Sequence, residues 1–382
     1  SGKVDFIAPS FEWPESTILN LTYNRILPYD IDMTLTYLKS KEEEALYRIV
    51  DTGYPLIGDE PTVPTEKAPD GRPIYNQTGK YGYRAGLYNV CCGDREVFSA
   101  SLSKAFRDGD TFVTLAYTAQ DHQNRSDMTS STSNSNFGKT GAIDFNNRIK
   151  NRSTYETEHS LLMTLTSKHY FFGANAPTTF SLVFSRESGN VKYPTFDTYT
   201  SWPGDYKSKA FGYEFNLNDD SSSLLYIPTV NDPLVCYSYK CLSEGSAAAA
   251  ERQEEVINFL YNVWGLEDYA GKIAPRDAGN FPWQSSLDLN IVQEIPGFRE
   301  GDSFVLTFAL ENLLNFIDDD KGIIRYGYYS GRVPVIDLRI VDNERYDYSR
   351  NAFRYSFDDP FNIDRSTTQS LWRASLGIQY KF

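Results

Sequence analysis

The chain has 382 residues, a formal net charge of −14, and 28 Tyr and 24 Phe. That charge excludes nucleic acid as a partner, because binding a phosphate backbone requires clustered Lys and Arg. No apolar run reaches the length of a membrane helix, which excludes a helical membrane protein and leaves open a barrel, whose strands are apolar only at every second position.

The first alternating pair is residues 17–27 and 31–38, joined by Pro28-Tyr29-Asp30. Leu19, Leu21 and Tyr23 fall on one side of the first strand; Met33, Leu35 and Tyr37 fall on one side of the second. This spacing predicts a hairpin with one apolar face. Residues 39–83 follow as a long polar loop rich in Glu, Pro and Gly.

A second pair, 97–106 and 111–120, turns at Arg107-Asp108-Gly109-Asp110, with Phe98, Ala100 and Leu102 on one face and Ser99, Ser101 and Ser103 on the other. Residues 121–157 read as another long loop, and its Ser-rich part around 126–135 has low complexity. The third pair is 158–168 and 178–185. Leu161, Met163 and Leu165 share one face of the first strand; Phe180, Leu182 and Phe184 share one face of the second.

From 186 to 282 the alternation stops, and a segment that long counts against a compact soluble domain. Within it, Ser246 is placed to cap a helix whose apolar stripe is Val256, Phe259, Leu260, Val263 and Trp264, ended by Gly265. The fourth pair is 285–295 and 303–313. Another long loop, 318–369, contains one alternating run at 333–341, read as a hairpin standing above a membrane.

The last stretch alternates without a break to the terminal aromatic. Trp372, Ala374, Leu376, Ile378, Tyr380 and Phe382 face one way, and Arg373, Ser375, Gly377, Gln379 and Lys381 the other. Its length matches a tilted bilayer crossing, and Trp372, Tyr380 and Phe382 stand where an interfacial aromatic girdle would lie. They are the expected barrel-closing signal. Short turns alternate with long loops throughout, as in an outer-membrane barrel whose long loops are extracellular. The expected fold is therefore all-β: an antiparallel transmembrane outer-membrane β-barrel with one short helix in its loops. About nine strands can be counted, and single-chain bacterial barrels have even counts. The chain is accordingly expected to be the C-terminal portion of a larger barrel.

Cys91, Cys92, Cys236 and Cys241 all fall in expected loops, without zinc-ligand spacing to His. In an oxidising compartment, Cys236 with Cys241 is the simplest bridge, with Cys91 or Cys92 as competing partners. Asp318, Asp319 and Asp320 are weak calcium candidates; a solvated loop surface is the plainer account. His122, His159 and His169 stand in no protease-like or triad-like setting, so neither catalysis nor a cofactor is expected.

Several motifs occur in series: Asp144-Phe145-Asn146-Asn147, Leu225-Tyr226-Ile227-Pro228, Tyr269-Ala270-Gly271-Lys272-Ile273-Ala274-Pro275-Arg276-Asp277-Ala278-Gly279, Gln293-Glu294-Ile295-Pro296-Gly297-Phe298 and Glu311-Asn312-Leu313-Leu314-Asn315. In this order they resemble the Oar-like TonB-dependent outer-membrane receptors, and the likeness extends over nearly the whole chain. The resemblance implies a barrel of about twenty-two strands with a plugged lumen, of which residues 1–382 would supply the C-terminal part; the plug and N-terminal domain are not in this chain. It also implies the cell outer membrane of a Gram-negative bacterium. The implied partners are outer-membrane lipid and lipopolysaccharide, the TonB energising complex acting through the plug, and the remaining barrel strands. Function would be uptake of a ligand captured by the extracellular loops, with Tyr193, Trp202, Tyr206 and Trp264 as expected aromatic contacts. A surface barrel that binds a partner protein without transport is the alternative.

Overall fold

The computed structural model describes residues 4–49, 66–74, 84–128, 130–138, 140–197, 209–210, 213–214, 223–237, 242–326, 332–338, 346–347, 352–356 and 364–382. Its main sheet has a path of nine strands in chain order: β1 (Ser16–Leu27), β2 (Ile31–Ile49), β3 (Arg84–Phe106), β4 (Thr111–Asn124), β5 (His159–His169), β6 (Thr178–Glu187), β7 (Gln284–Pro296), β8 (Ser303–Glu311) and β9 (Arg373–Lys381). Every neighbouring pair on this path is antiparallel. The fold is all-β in this sense, and no helix among the described residues is long and apolar enough to cross a membrane.

Directly opposed residues of an antiparallel pair share a face, so the register fixes which side chains line up across the sheet. Leu21 opposes Tyr37, Tyr37 opposes Phe98, and Phe98 opposes Ala119. Leu115 opposes Met163, Met163 opposes Phe184, and Phe184 opposes Leu287. Leu289 opposes Leu310, and Leu310 opposes Ala374. All the apolar sets expected from alternation thus fall on one continuous face. The opposite face carries rungs of hydroxyls and amides: Ser99 with Thr118 at 3.0 Å, Ser103 with Thr114 at 3.1 Å, Ser185 with Ser286 at 2.9 Å, and Thr34 Oγ1 donating to Asn24 Oδ1 at 2.8 Å.

The apolar face is not where the hydrophobic core lies. Leu21 is 58% exposed, Leu376 81% and Ile378 72%, and even Leu115, on β4 well inside the sheet, is 43% exposed. The buried cluster instead occupies the segments between strands. It contains Leu225, Ile227, Val235 and Tyr237, then Val256, Phe259, Leu260 and Leu266, and finally Val333, Ile336 and Tyr355. These segments cap the sheet at the end opposite its four short turns.

Several expectations need correction. Residues 39–49 are not loop, because β2 continues to Ile49 and pairs with a β3 that starts at Arg84; β4 likewise runs on to Asn124. Just beyond the apolar band, at Glu42-Glu43-Glu44 and Gly93-Asp94-Arg95, both faces are polar, so the alternation that announces the strand is interrupted; further on, Leu46, Ala85 and Tyr88 are buried. Cys91 and Cys92 lie in β3, not in a loop, and are disulfide-bonded to each other. Glu42 opposes Gly93 while Glu44 opposes Val90, so β3 accommodates an extra residue at this pair as a bulge. Cys236 is also disulfide-bonded, and Cys241 lies outside the described residues.

The expected hairpin at 333–341 is instead a strand, Arg332–Leu338, pairing in parallel with Val191–Asp197 and antiparallel with Ala352–Ser356. Helix α1 (Ala247–Asn258) is capped by Ser246, whose side chain accepts from the Ala249 amide. Val256, Phe259 and Leu260 are buried as expected, but Val263 is exposed. The helix runs into a π turn at Phe259–Val263, and the wider turn rotates Val263 off the apolar stripe.

Candidate functional site

At the capped end, the sheet's polar face and the long segments enclose a cavity of about 210 Å³, with Glu42, Glu44, His122, Asn124, Asp127 and Tyr155 among its lining residues. Ser126, Asp127, Met128 and Tyr155 form one wall, which a buried polar network fastens. The Asn124 amide donates to Asp127 Oδ1 at 2.9 Å and to Ser153 Oγ at 3.0 Å; Ser153 Oγ and the Thr154 amide also donate to Asp127 Oδ1. The Ser153 amide donates to the His122 carbonyl at 2.7 Å.

Arg276 completes this network from the cap. Its Nη2 donates to the Asn124 carbonyl and, at 3.3 Å, to the Asn151 carbonyl, while Nη1 lies 3.9 Å from Asp127 Oδ2. The Arg276 side chain is 3% exposed and that of Asp127 is fully buried. Nothing in periodicity announces this residue: it sits in the irregular Ala274-Pro275-Arg276-Asp277 run. Arg152 performs a second fastening, donating to Glu156 at 2.6 Å, Glu158 at 3.1 Å and Asn280 at 2.5 Å.

The titrating groups His122 and Glu44 of the cavity, and Glu156 beside it, are tuned mainly by burial. It lowers the His122 pKa, assisted by nearby Arg95, and raises those of Glu44 and Glu156, against the hydrogen bonds that Arg125, His122 and Arg152 give them. The Arg125 amide donates to Glu44 at 2.8 Å and its guanidinium at 3.2 Å. The result is a polar recess in which the carboxylates of Glu44 and Asp127 are already met by Arg125 and Arg276.

The residues expected to contact ligand are not brought together here. Trp264 packs half-buried against the cap's hydrophobic cluster, with the Lys192 ammonium 4.5 Å from its ring centroid. Tyr193 pairs through its backbone with Arg332, and Trp202 and Tyr206 lie outside the described residues. Asp318, Asp319 and Asp320 do not converge on a cation. The Asp318 carboxylate accepts from the Asp320 amide at 3.0 Å and pairs with Lys321 at 3.2 Å, and Asp319 gives its carbonyl to Asn315 at 3.1 Å. Among the described residues, no three His, Cys, Asp or Glu side chains are grouped to hold a metal ion.

The asparagines of Asn312-Leu313-Leu314-Asn315 tie this acidic turn to the last strand. Asn312, at φ 53°, ends β8 and donates its amide to the carbonyls of Gly322 and Ser370, at 2.9 and 2.8 Å. Asn315 donates to the carbonyls of Asp319 and Lys321 from α2 (Leu313–Ile317). Gly322 has φ 61°, and a Cβ there would lie 2.0 Å from Asn312 Oδ1, so glycine is required.

Aromatic side chains gather at both ends of the apolar face. At the short-turn end, Phe298, Phe304, Tyr380 and Phe382 form a chain of ring contacts, and His169 stacks on Phe171 at 5.1 Å. At the capped end, His159 stacks between Tyr117 and Trp283, and Phe316 meets Trp372 edge-on. Trp372, Tyr380 and Phe382 therefore belong to these two aromatic rows. Comparison of the chain with protein-family models, curated proteins and solved structures finds no match.

Proposed function

We propose that the main sheet is part of the wall of a TonB-dependent outer-membrane receptor, and that the cap captures a ligand outside the cell for uptake through the lumen. One observation carries this reading. The apolar side chains form a continuous face across nine strands that the chain itself leaves exposed, while the buried cluster lies in the cap. In water an open apolar sheet of this extent would be an aggregation hazard; in lipid it is the outer surface of a barrel.

The limits of the apolar band support the same reading. On β3 the apolar face runs from Glu96, paired with Lys39, to Lys104, whose ammonium lies 4.9 Å from the Phe106 ring centroid. Counted with both ends this is nine residues, the lower limit of the roughly 9–11 that a tilted strand needs to cross hydrocarbon. The hydroxyl-lined face would then border the lumen, and strand edges left unpaired in lipid require further strands beside them.

The test uses the gene's own host. The protein should fractionate with the outer membrane and migrate differently on gels before and after boiling. Uptake of its ligand, sought by comparing metabolite depletion in cells with and without the gene, should stop when the proton gradient is collapsed. Recovery in a water-soluble fraction would refute the membrane reading. Surface binding of a partner protein with no gene-dependent uptake would refute transport and favour an adhesive barrel.

A further inference from the structure

A second cavity, of about 390 Å³, opens on the other side of the sheet, at the capped end of its apolar face. The sheet residues lining it, Phe184, Arg186 and Ser285, all belong to that face by register. Trp283 and Ile323 extend the apolar lining. Three cations, Arg186, Lys321 and Arg325, line it against a single carboxylate, Asp320.

This charge balance runs against the composition, since the chain as a whole is strongly acidic. The Arg186 guanidinium lies 5.4 Å from the Trp283 ring centroid, and no carboxylate among the described residues pairs with Arg186 or Arg325. Lys321 is exposed and shares its charge with Asp318 at 3.2 Å. We infer that this groove holds the phosphorylated headgroup of an anionic glycolipid of the outer leaflet, with its acyl chains lying on the apolar face below. The inference rests on the proposed membrane reading. Guanidinium groups suit phosphate oxygens, the aromatic ring suits the boundary between headgroup and hydrocarbon, and the groove continues directly into the apolar face. Phosphate alone would gain nothing from the adjoining Phe184 and Ile323.

The experiment uses the whole protein purified from its outer membrane in mild detergent, with retained lipid measured by native mass spectrometry. Binding is then measured in nanodiscs containing lipid A, dephosphorylated lipid A or neither. The unmodified protein should retain phosphorylated glycolipid. An R186Q/K321Q/R325Q variant with an unchanged boiling-dependent gel shift should bind lipid A about 100-fold more weakly, from three cations acting near a membrane surface. The single variants R186Q and R325Q, each expected to lose several-fold, serve if the triple variant does not assemble. Equal retention by variant and unmodified protein, or equal binding of the dephosphorylated lipid, would overturn the inference. Displacement of the lipid by millimolar inorganic phosphate would overturn it in favour of a free-anion site. Absence of the unmodified protein from the outer membrane would instead overturn the membrane reading, and that fractionation is read before any variant is made.

Discussion

Replacing Arg276 with Leu should loosen residues 125–158 from the cap without unfolding the main sheet. The substitution leaves the carbonyls of Asn124 and Asn151 without this donor and removes the cation 3.9 Å from the buried Asp127 carboxylate. Breaking a buried charge pair from one side costs about 3–5 kcal/mol. Asp127 keeps its bonds from Asn124, Ser153 and Thr154, which places the expected cost near the lower end, at about 3 kcal/mol. That corresponds to roughly 150-fold more frequent opening, since each 1.36 kcal/mol is a factor of ten. Hydrogen exchange reads it directly: the Ser153 and Thr154 amides, bonded to the His122 carbonyl and Asp127, should exchange that much faster, while amides in β7 and β8 should not change. Unchanged protection at Ser153 and Thr154 would refute the assignment of Arg276 as the fastener. In a cycle with Asp127→Asn, the double variant should lose less than the sum of the two single losses.

Adjacent substitutions should separate the two faces of β3. On the proposed reading, Ala100→Arg, in the middle of the apolar band, should cost about 2–4 kcal/mol and sharply lower the amount of assembled protein in the outer membrane, whereas Ser101→Arg, on the hydroxyl-lined face, should be tolerated. Asn312→Ala removes two carbonyl partners and holds alanine at a left-handed φ, so roughly 2–4 kcal/mol of local stability should be lost. Proteolysis within 318–322 would report it, with Asn312→Gly less damaged. Acid should weaken the contact of residues 125–158 with β4: because burial lowers the His122 pKa, the undocked state takes up its proton first as pH falls through about 6.5. Exchange at Ser153, corrected for intrinsic rate, should quicken below that point, and His122→Gln should flatten the dependence. Glu44 and Glu156, with raised pKa values, act in the opposite direction at lower pH, because there the docked state is protonated first. Trp264→Ala should loosen the helix-containing cap, read as faster exchange in Ala247–Asn258, because its ring packs on the buried cluster and under Lys192.

The nine strands were legible because each crosses a boundary between two unlike environments, and period two is the imprint of that boundary. Phe98-Ser99-Ala100-Ser101-Leu102 reports it residue by residue. Where both faces meet polar surroundings, as at Glu42-Glu43-Glu44 and Gly93-Asp94-Arg95, the strand persists but the imprint vanishes, so that β2 seemed to end early and β3 to start late. The cap was illegible for a different reason. Its strands are short, as at Tyr226–Ile227 and Lys272–Ile273, and residues such as Leu225, Tyr226 and Ile227 are buried in succession, which leaves no alternation to read. The π turn after α1 shows how local geometry can defeat even a correct helix assignment, since Val263 has the right spacing for a regular helix and the wrong side of this one. Arg276 needed the structure altogether, because its partners are 125 and 152 residues away along the chain.

The separation of the buried cluster from the apolar face means that two parts of one molecule depend on different solvents. The cap coheres by excluding water, and on the proposed reading the sheet coheres by accepting lipid. Heating the protein in detergent should then produce two events: a cooperative loss of near-ultraviolet signal from Tyr237, Tyr355 and their neighbours, and a later collapse of the strand signal. Detergent chain length should move the second and leave the first in place. A frame built this way is largely indifferent to what it carries, so a differently folded cap could be seated on the same nine strands.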